Sequence, residues 1–255
     1  MRNIKLTIEY KGSNYCGWQK QKNGLSIQQA IVTAIAQATG ESVALNGSGR
    51  TDSGVHAIAQ VANFHTASPI PPERFSFAIN AYLPEDISIV SSEEVPEAFH
   101  ARFNAKGKVY RYYIWNAFRR NAIIPEFAYF APNPLDLSAM QKAAQIFVGK
   151  HDFAAFMAVG SKVKSTTREI YKAEVSEVER PFGAQDGALI CIELTGSGFL
   201  YNMVRIIAGT LMEVGLGKRS ERQIAEALGK GERGLAGQTL PPEGLFLYKV
   251  MYDSF

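Results

Sequence analysis

The sequence predicts an α+β protein made of two ferredoxin-like β-α-β-β-α-β subdomains, spanning residues 1–104 and 105–255. Several stretches alternate apolar and polar residues as half-buried strands do, and segments with helical apolar spacing separate them. The same order of elements occurs in both halves. With 255 residues, of which 46% are hydrophobic, the chain can bury a sizeable core. Two such sheets, joined edge to edge into one mixed, largely antiparallel sheet, would leave a central cleft where a catalytic site is expected.

In the first half, apolar residues alternate over 4–10, which predicts a strand. Ser26 with Gln29 three positions later is the capping-box pattern that opens a helix, and Gly40 ends that helix. The remaining elements are predicted from the same signals and from prolines that mark helix ends. In order, the first half is predicted to contain strand 4–10, helix 26–40, strands 42–45 and 56–66, a helix from 71 that stops before Pro84, and a strand at 87–89.

The second half repeats this order with a longer apolar helix near its end. A turn containing proline and glycine at 181–183 joins two alternating segments. In order, the second half is predicted to contain strand 106–115, helix 138–149, strands 169–178 and 188–195, helices 199–214 and 220–228, and strand 245–252.

Composition narrows the class of protein. A net charge of +3 and a pI near 8.7 permit an anionic partner without requiring one. Cys16 and Cys191 are far apart, fit a reducing compartment and leave a disulfide possible in principle. The four histidines show no ligand spacing, so no metal site is expected. No signal segment precedes the first strand and no run reaches transmembrane length, which leads us to expect a cytoplasmic protein without a membrane partner.

A glycine-rich stretch at 47–57 is the strongest candidate for a functional loop, because three glycines in eight positions suit a sharp turn or a close approach to a ligand. It carries one cation, Arg50, and one anion, Asp52. If the backbone between them is extended, both side chains point the same way and can meet. Such a pair at about 4 Å attracts by roughly 4 kcal/mol at an effective dielectric of about 20. The pair would hold the carboxylate ionised, which makes Asp52 a candidate nucleophile.

Other interpretations of this loop exist. A phosphate-binding P-loop needs a closing Gly-Lys-Ser/Thr, and a serine-hydrolase elbow needs glycines on both sides of the serine; neither pattern is present. An aspartic protease needs two carboxylates side by side, whereas one Asp-Ser-Gly triplet occurs. A structural hairpin loop with a surface ion pair is the remaining alternative, and local physics alone leaves it open.

Residues 49–52 and 54–57 resemble the signature of tRNA pseudouridine synthases of the TruA type. The resemblance covers nearly the whole chain, with further motifs in the family's order at 10–19, 100–105, 107–113, 165–170, 196–205 and 241–245. At four positions the sequence departs from the residue that is common in the family: Ser53, Asn202, Ile206 and Leu240.

The resemblance implies a cofactor-free isomerase that converts uridine to pseudouridine in the anticodon stem–loop of tRNAs, at positions 38, 39 and 40. It implies that Asp52 is the catalytic residue, that Tyr110 contacts the target uridine and that Arg205 lies by the aspartate. Arg50 joins them as a substrate-binding residue. It also implies a homodimer, with one tRNA contacting both subunits.

Several alternatives stay open at this stage. Trp18 either closes over RNA or fills the core beneath a surface loop. Arg205 either pairs with an anion or extends its head to solvent. Tyr112 and Tyr113 fit core positions better than a site, and the basic stretch of Lys162, Lys164 and Arg168 suits phosphates or a solvated face.

Two rival functions belong to other classes. A non-catalytic RNA-binding protein on ferredoxin-like halves is one, although the aromatic signature of such modules is missing. A glycosidase is the other, and it needs a second acid near Asp52 that the sequence does not obviously supply.

Overall fold

The computed structural model describes residues 1–22, 24–122, 124, 126–160, 163–180 and 186–253. Lys162 of the predicted basic stretch and the predicted turn at 181–183 lie outside these residues. The described residues form ten β-strands and five α-helices, so the predicted α+β class with a mixed, largely antiparallel arrangement is confirmed. The chain divides into two compact units, Met1–Lys106 with Phe246–Phe255, and Gly107–Leu245.

The first unit has the predicted β-α-β-β-α-β order. Strand β1 lies between β3 and β4 and is antiparallel to both, while short β2 adds to β3. The last strand of the chain, β10, runs parallel to β3. The elements are β1 (Arg2–Tyr10), α1 (Ile27–Thr39), β2 (Asn46–Gly47), β3 (His56–Thr66), α2 (Phe75–Asn80), β4 (Ile87–Val95) and β10 (Leu245–Met251).

The two faces of this sheet differ. Ile4 on β1 is paired with Phe64 on β3, and Phe64 packs edge-on against Phe75 of α2 at 5.7 Å, so these side chains face the helices. Neighbouring residues on a strand point to opposite faces. Asn3 and Asn63 therefore lie on the face away from the helices.

Local signals explain the helix boundaries. The Ser26 hydroxyl accepts a hydrogen bond from the Gln29 backbone at 3.2 Å, and Gly40 closes α1 in the left-handed conformation, so both predicted ends are confirmed. The Gln29 side chain donates to the Thr33 hydroxyl at 3.2 Å, so the reciprocal half of the predicted capping box is replaced by a bond within the helix. The predicted strand at 42–45 is wrong, because the paired residues are Asn46 and Gly47. Helix α2 is also shorter than predicted, since a single 3-10 turn at Pro72–Arg74 precedes it.

In the second unit, strand β9 lies between β5 and β8, with β6 beside β5 and β7 beside β8. The sequence did not predict β6 and β7. Both are short, and they gain their pairing from strands distant in sequence. The elements are β5 (Gly107–Asn116), β6 (Tyr129–Ala131), α3 (Leu137–Ala144), β7 (Gly149–Asp152), β8 (Thr167–Val178), β9 (Ala188–Gly196), α4 (Met203–Gly215) and α5 (Glu221–Lys230).

Two helices of this unit differ in length from the prediction. Helix α3 ends at Ala144, and Gly149 at φ +109° opens β7 in place of a helical turn. Helix α4 begins at Met203 instead of 199, because Asn202 at φ +59° is left-handed and cannot belong to a right-handed helix.

The compact units and the sequence-based subdomains differ in two respects, the position of the boundary and the place of β10. The predicted boundary between 104 and 105 lies two residues before Lys106, where the first unit's main segment ends. Strand β10, placed by sequence with the second subdomain, groups from Phe246 onward with the first unit. It does so because it pairs with β3 and because Phe246 stacks on the His56 ring at 4.7 Å. The functional roles given to the two subdomains, and the cleft, stay predictions.

Candidate active site

The loop that carries Asp52 is fixed at its start by β3. The Ser48 backbone N–H donates to the Val61 carbonyl at 2.7 Å. The fully buried side chain of Gln60 accepts the Ser48 hydroxyl at 2.6 Å and donates to the Gly49 carbonyl at 3.0 Å. A buried amide bonded in this way holds a backbone in one conformation, because breaking the bonds would leave polar groups unsatisfied.

Thr51, the residue before Asp52, is held by contacts with Tyr10 and Trp18. The Thr51 and Tyr10 hydroxyls lie 2.7 Å apart in the buried interior. Burial raises the pKa of Tyr10, with the Thr51 hydrogen bond acting weakly in the other direction, so the phenol stays neutral. The Thr51 carbonyl in turn accepts the backbone N–H of Trp18 at 3.1 Å.

Two glycines allow this close packing. A Cβ at Gly17 would lie 2.6 Å from the Thr51 carbonyl oxygen, and Gly17 has φ +100°. A Cβ at Gly47 would lie 2.5 Å from the indole of Trp18. Trp18 is therefore a buried support beneath the loop, which answers the question that the sequence left open about it.

After Asp52 the chain turns sharply. Gly54 has φ +78°, and the Val55 N–H donates to the Asp52 carbonyl at 3.1 Å. The Tyr15 carbonyl accepts the Ser53 hydroxyl at 3.1 Å and the Gly54 N–H at 3.4 Å. The Tyr15 hydroxyl is itself held by Asp86. The backbone on both sides of Asp52 is thus anchored, while its side chain is half-buried.

Arg50 differs from the sequence-based expectation. Its side chain is exposed, and within the described residues it forms no ion pair, so the predicted Arg50–Asp52 pair is not formed. The pair required an extended backbone from Arg50 to Asp52, whereas these residues belong to no strand and a turn follows directly at Ser53 and Gly54. An ion pair with an exposed arginine such as Arg50 contributes about 0–1 kcal/mol, too little to dictate the loop's shape.

In the second unit, Tyr110 lies on β5 opposite Leu194 of β9. Its ring is 7% exposed, and the Phe199 ring packs edge-on against it at 5.1 Å. Tyr112, two residues on, is fully buried and donates its hydroxyl to the Pro241 carbonyl at 2.7 Å. Burial raises the pKa of Tyr112. The core position predicted for Tyr112 is confirmed, and the 241–245 motif packs on it.

Arg205 projects from the first turns of α4 and is half-buried. Its Nε donates to the Leu240 carbonyl at 2.6 Å, and its Nη1 donates to the Asn202 Oδ1 at 2.7 Å. Both acceptors are neutral, so they fix the direction of the guanidinium without cancelling its charge. In the sequence, Asn202 and Leu240 stand out only as departures from the family pattern. The Asn202 departure was an available signal, because its side-chain oxygen is the acceptor, whereas Leu240 contributes a backbone carbonyl that no residue type reveals.

Within the described part of the chain, a second arginine of this unit is held by backbone carbonyls. Arg168 donates through Nη1 to the carbonyls of Ser165 at 3.0 Å and Thr167 at 2.7 Å, and burial lowers its pKa. A guanidinium without a carboxylate partner suits an anion such as phosphate. Lys164 of the same predicted stretch is exposed.

Other features of the described residues bear on the class of site. They contain no group of three or more histidine, cysteine, aspartate or glutamate side chains that would bind a metal ion. Cys16 and Cys191 are free thiols. None of the described helices combines the length and the apolar character needed to span a membrane.

Comparison with known proteins decides the family. A family model described as tRNA pseudouridine synthase matches residues 6–104 and 143–253. The chain belongs to the tRNA pseudouridine synthase family. Three relatives, each called tRNA pseudouridine synthase A, align over 99% of this chain and 100% of their own length. They come from Ruminiclostridium cellulolyticum at 50% identity, Acetivibrio thermocellus at 49% and Geotalea uraniireducens at 48%.

The resemblance drawn from the motifs is therefore confirmed, as is the enzyme class. This synthase is an isomerase that forms pseudouridine from uridine, and tRNA is its substrate. The alternative of a non-catalytic RNA-binding protein is wrong. The roles of individual residues stay predictions.

Proposed function

We propose that this synthase modifies uridines 38, 39 and 40 of the tRNA anticodon stem–loop and that Asp52 is its nucleophile. The observation that carries the assignment is the anchoring of the Asp52 loop by Gln60, Tyr10 and the Tyr15 carbonyl. A surface hairpin has no need of a buried amide and a buried phenol beneath it. A nucleophile does, because a misplacement of about 1 Å costs around 100-fold in rate.

The reaction exchanges one bond to the sugar for another. The bond between C1′ and N1 of the uracil breaks, the base turns, and a bond between C1′ and C5 forms. The C5 proton leaves and N1 gains a proton, so redox state and atom count are unchanged and no cofactor is required. Asp52 attacks C1′ or C6, or acts as the base in a glycal route. The target nucleotide is first extruded from its stack at a cost of a few kcal/mol.

Tyr110 and Arg205 are proposed to serve the same uridine. Arg205, fixed by two neutral acceptors, keeps the Asp52 carboxylate ionised. Tyr110 stacks on the uracil and assists loss of the C5 proton. Because the Tyr110 ring is 7% exposed, stacking requires a neighbour such as Phe199 to move. Arg50, which is exposed, contacts a phosphate of the substrate.

The decisive variant is Asp52→Asn. We expect no tritium release from tRNA labelled at C5 of uridine, with tRNA affinity close to that of the wild type. Glu9→Ala, which removes an exposed carboxylate of the same unit, is the matched control and should turn over normally. Turnover by Asp52→Asn would remove Asp52 from its role.

The substrate positions have their own test. Pseudouridine mapping of tRNA from cells lacking the enzyme should show losses at positions 38, 39 and 40, and losses confined to other positions would refute this assignment. Binding should also weaken steeply with salt, because phosphate contacts release counterions.

We further propose that the synthase is cytoplasmic and works as a homodimer. The support is the family's mode of action, in which one tRNA contacts both subunits. Sedimentation at working concentration should give twice the chain mass, and a monomer under those conditions would contradict the proposal. Fractionation should recover the enzyme with the soluble cytoplasm, and recovery with membranes would count against that location.

A further inference from the structure

The turn that follows β4 displays an aromatic ring on a firmly held backbone. Phe103 is 76% exposed. Two residues earlier, Ala101 is fully buried, its N–H donates to the Asn63 Oδ1 at 2.9 Å, and its carbonyl accepts the Tyr252 hydroxyl at 2.8 Å. The chain closes on itself where the Asn104 N–H donates to the His100 carbonyl at 3.1 Å. The exposed ring is therefore attached to a rigid base.

Two buried asparagines beneath the turn hold its backbone by hydrogen bonds. Asn3 and Asn63 are buried on the sheet face away from the helices, and they bond to each other at 2.9 Å. The Asn3 amide also donates to the Phe99 carbonyl at 2.9 Å. Buried amides are costly unless bonded, so this arrangement resists alternative conformations of the turn. It fixes the place from which Phe103 projects.

Two further side chains cluster on Phe103. The His100 ring lies 4.3 Å from the Phe103 ring at an interplanar angle of 38°, and the Arg102 guanidinium carbon lies 5.8 Å from the ring centre. The Arg102 backbone N–H donates to the His100 Nδ1 at 3.1 Å, which orients the imidazole. Arg102 is exposed and forms no ion pair within the described residues.

We infer that His100, Arg102 and Phe103 form a stacking site for an unpaired nucleobase of the tRNA substrate, with Arg102 contacting an adjacent phosphate. Proteins bind single-stranded RNA by stacking bases on aromatic rings and guanidinium planes beside a cation that meets the backbone. A protein interface would need a contiguous apolar patch of several hundred Å², whereas the Phe103 ring carries the polar side chains of His100 and Arg102. The inference rests on tRNA being the substrate and not on the role of Asp52.

The same unit offers a matched control. Phe77 is 68% exposed, and the Arg74 guanidinium carbon lies 5.5 Å from its ring centre. Phe77 belongs to α2, in the helical layer, whereas the Phe103 turn is anchored on the opposite face of the sheet. Both positions therefore combine an exposed phenylalanine with an arginine, and they differ in the side of the unit that they occupy.

The experiment measures the dissociation constant of the full-length enzyme for an unmodified tRNA transcript by filter binding. Phe103→Ala should raise it about 5- to 150-fold, which corresponds to roughly 1–3 kcal/mol for a lost base stack. Phe103→Trp should keep the affinity, and Phe103→Leu should behave like Phe103→Ala, because leucine keeps apolar area but has no ring. Arg102→Gln should lower the salt slope by about one. Phe77→Ala should leave both affinity and thermal stability unchanged.

Three outcomes would overturn the inference. The first is wild-type affinity in Phe103→Ala. The second is wild-type affinity in Phe103→Leu, which would indicate apolar packing in place of stacking. The third is a change in sedimented mass in Phe103→Ala with no change in the dissociation constant, which would make this surface an interface between copies of the chain. Because Asp52→Asn is expected to lose turnover and keep binding, failure of one proposal is distinguishable from failure of the other.

Discussion

The two glycine-containing loops of this synthase differ in what is held fixed, the backbone in one and a side chain in the other. In the loop before β3, hydrogen bonds and close contacts fix the backbone around Asp52, and they come from Tyr10, Gly17 and Gln60. In the segment that follows β9, the fixed object is a side chain. Arg205 has both its Nε and Nη1 committed to neutral acceptors, and one of these belongs to a residue in a left-handed conformation.

This difference matches the chemistry proposed for each residue. Aspartate has a short side chain, so its carboxylate is aimed by aiming the backbone. Arginine has a long side chain with about 2 kcal/mol of rotamer entropy, so fixing the backbone alone would leave the guanidinium mobile. Holding the guanidinium by two hydrogen bonds removes that freedom before substrate arrives.

The largest expected effect comes from Gly17→Ala, which introduces a steric clash with the backbone of the first loop. The new Cβ would lie 2.6 Å from the Thr51 carbonyl oxygen at φ +100°. We expect the free energy of unfolding to fall by roughly 2–5 kcal/mol and turnover to fall more than about 100-fold. Urea unfolding and tritium release measure the two quantities.

The control for this variant is Gly40→Ala. Gly40 has φ +75° but nothing within 4 Å of the added Cβ, so strain is present without a clash. It should cost about 1 kcal/mol of stability and leave turnover unchanged. Equal turnover in the two variants would mean that the Asp52 backbone tolerates displacement, and the contrast between the loops would fail.

The loss of stability at alkaline pH tests the burial of Cys191 on β9, the strand that leads into the second loop. Burial raises the pKa of the Cys191 thiol on β9 to about 11, from a usual value near 9. The folded state then binds more protons than the unfolded state between these values, so stability is complete below pH 9 and is lost as pH rises towards 11. Two pKa units correspond to roughly 2–3 kcal/mol. Urea unfolding from pH 8 to 11 should show a flatter decline in Cys191→Ala than in the wild type, and parallel declines would contradict this origin.

Variants at Asn202 separate two contributions to the second loop, the left-handed backbone and the side-chain hydrogen bond to Arg205. Asn202→Gly and Asn202→Ala both remove the Arg205 Nη1 acceptor, and each should reduce turnover about tenfold, since a hydrogen bond to a charged group contributes about 1.5–3 kcal/mol. Asn202→Ala should also be about 1 kcal/mol less stable than Asn202→Gly, because alanine is strained at φ +59°. Restored turnover in Asn202→Gly alone would show that the left-handed backbone, and not the hydrogen bond, is what matters.

The smallest effect is expected for Ser53→Ala, which restores the residue common in the family. The Ser53 hydroxyl adds one part-buried hydrogen bond to the Tyr15 carbonyl, while the Gly54 N–H donates to the same acceptor. We expect a change in unfolding free energy within about 0.5 kcal/mol and turnover within about twofold of the wild type. A tenfold loss of turnover would show that the anchoring of the first loop depends on the Ser53 hydroxyl.

Local chemistry was enough to determine much of this protein from sequence alone. Alternation placed β3 at His56–Thr66, Ser26 and Gly40 marked the ends of α1, and short motifs identified the family. Each of these signals lies within a few residues of what it predicts. The short strands β6 and β7 have no such signal and were missed.

Tertiary structure decided how the candidate residues are held. It left Arg50 in solvent, placed Trp18 beneath the Asp52 loop, and gave Arg205 its partners at Asn202 and Leu240. The rigid turn under Phe103 likewise depends on residues 38 to 151 positions away. Sequence spacing cannot reveal such contacts, because they depend on which distant segments the folded chain brings within hydrogen-bonding distance.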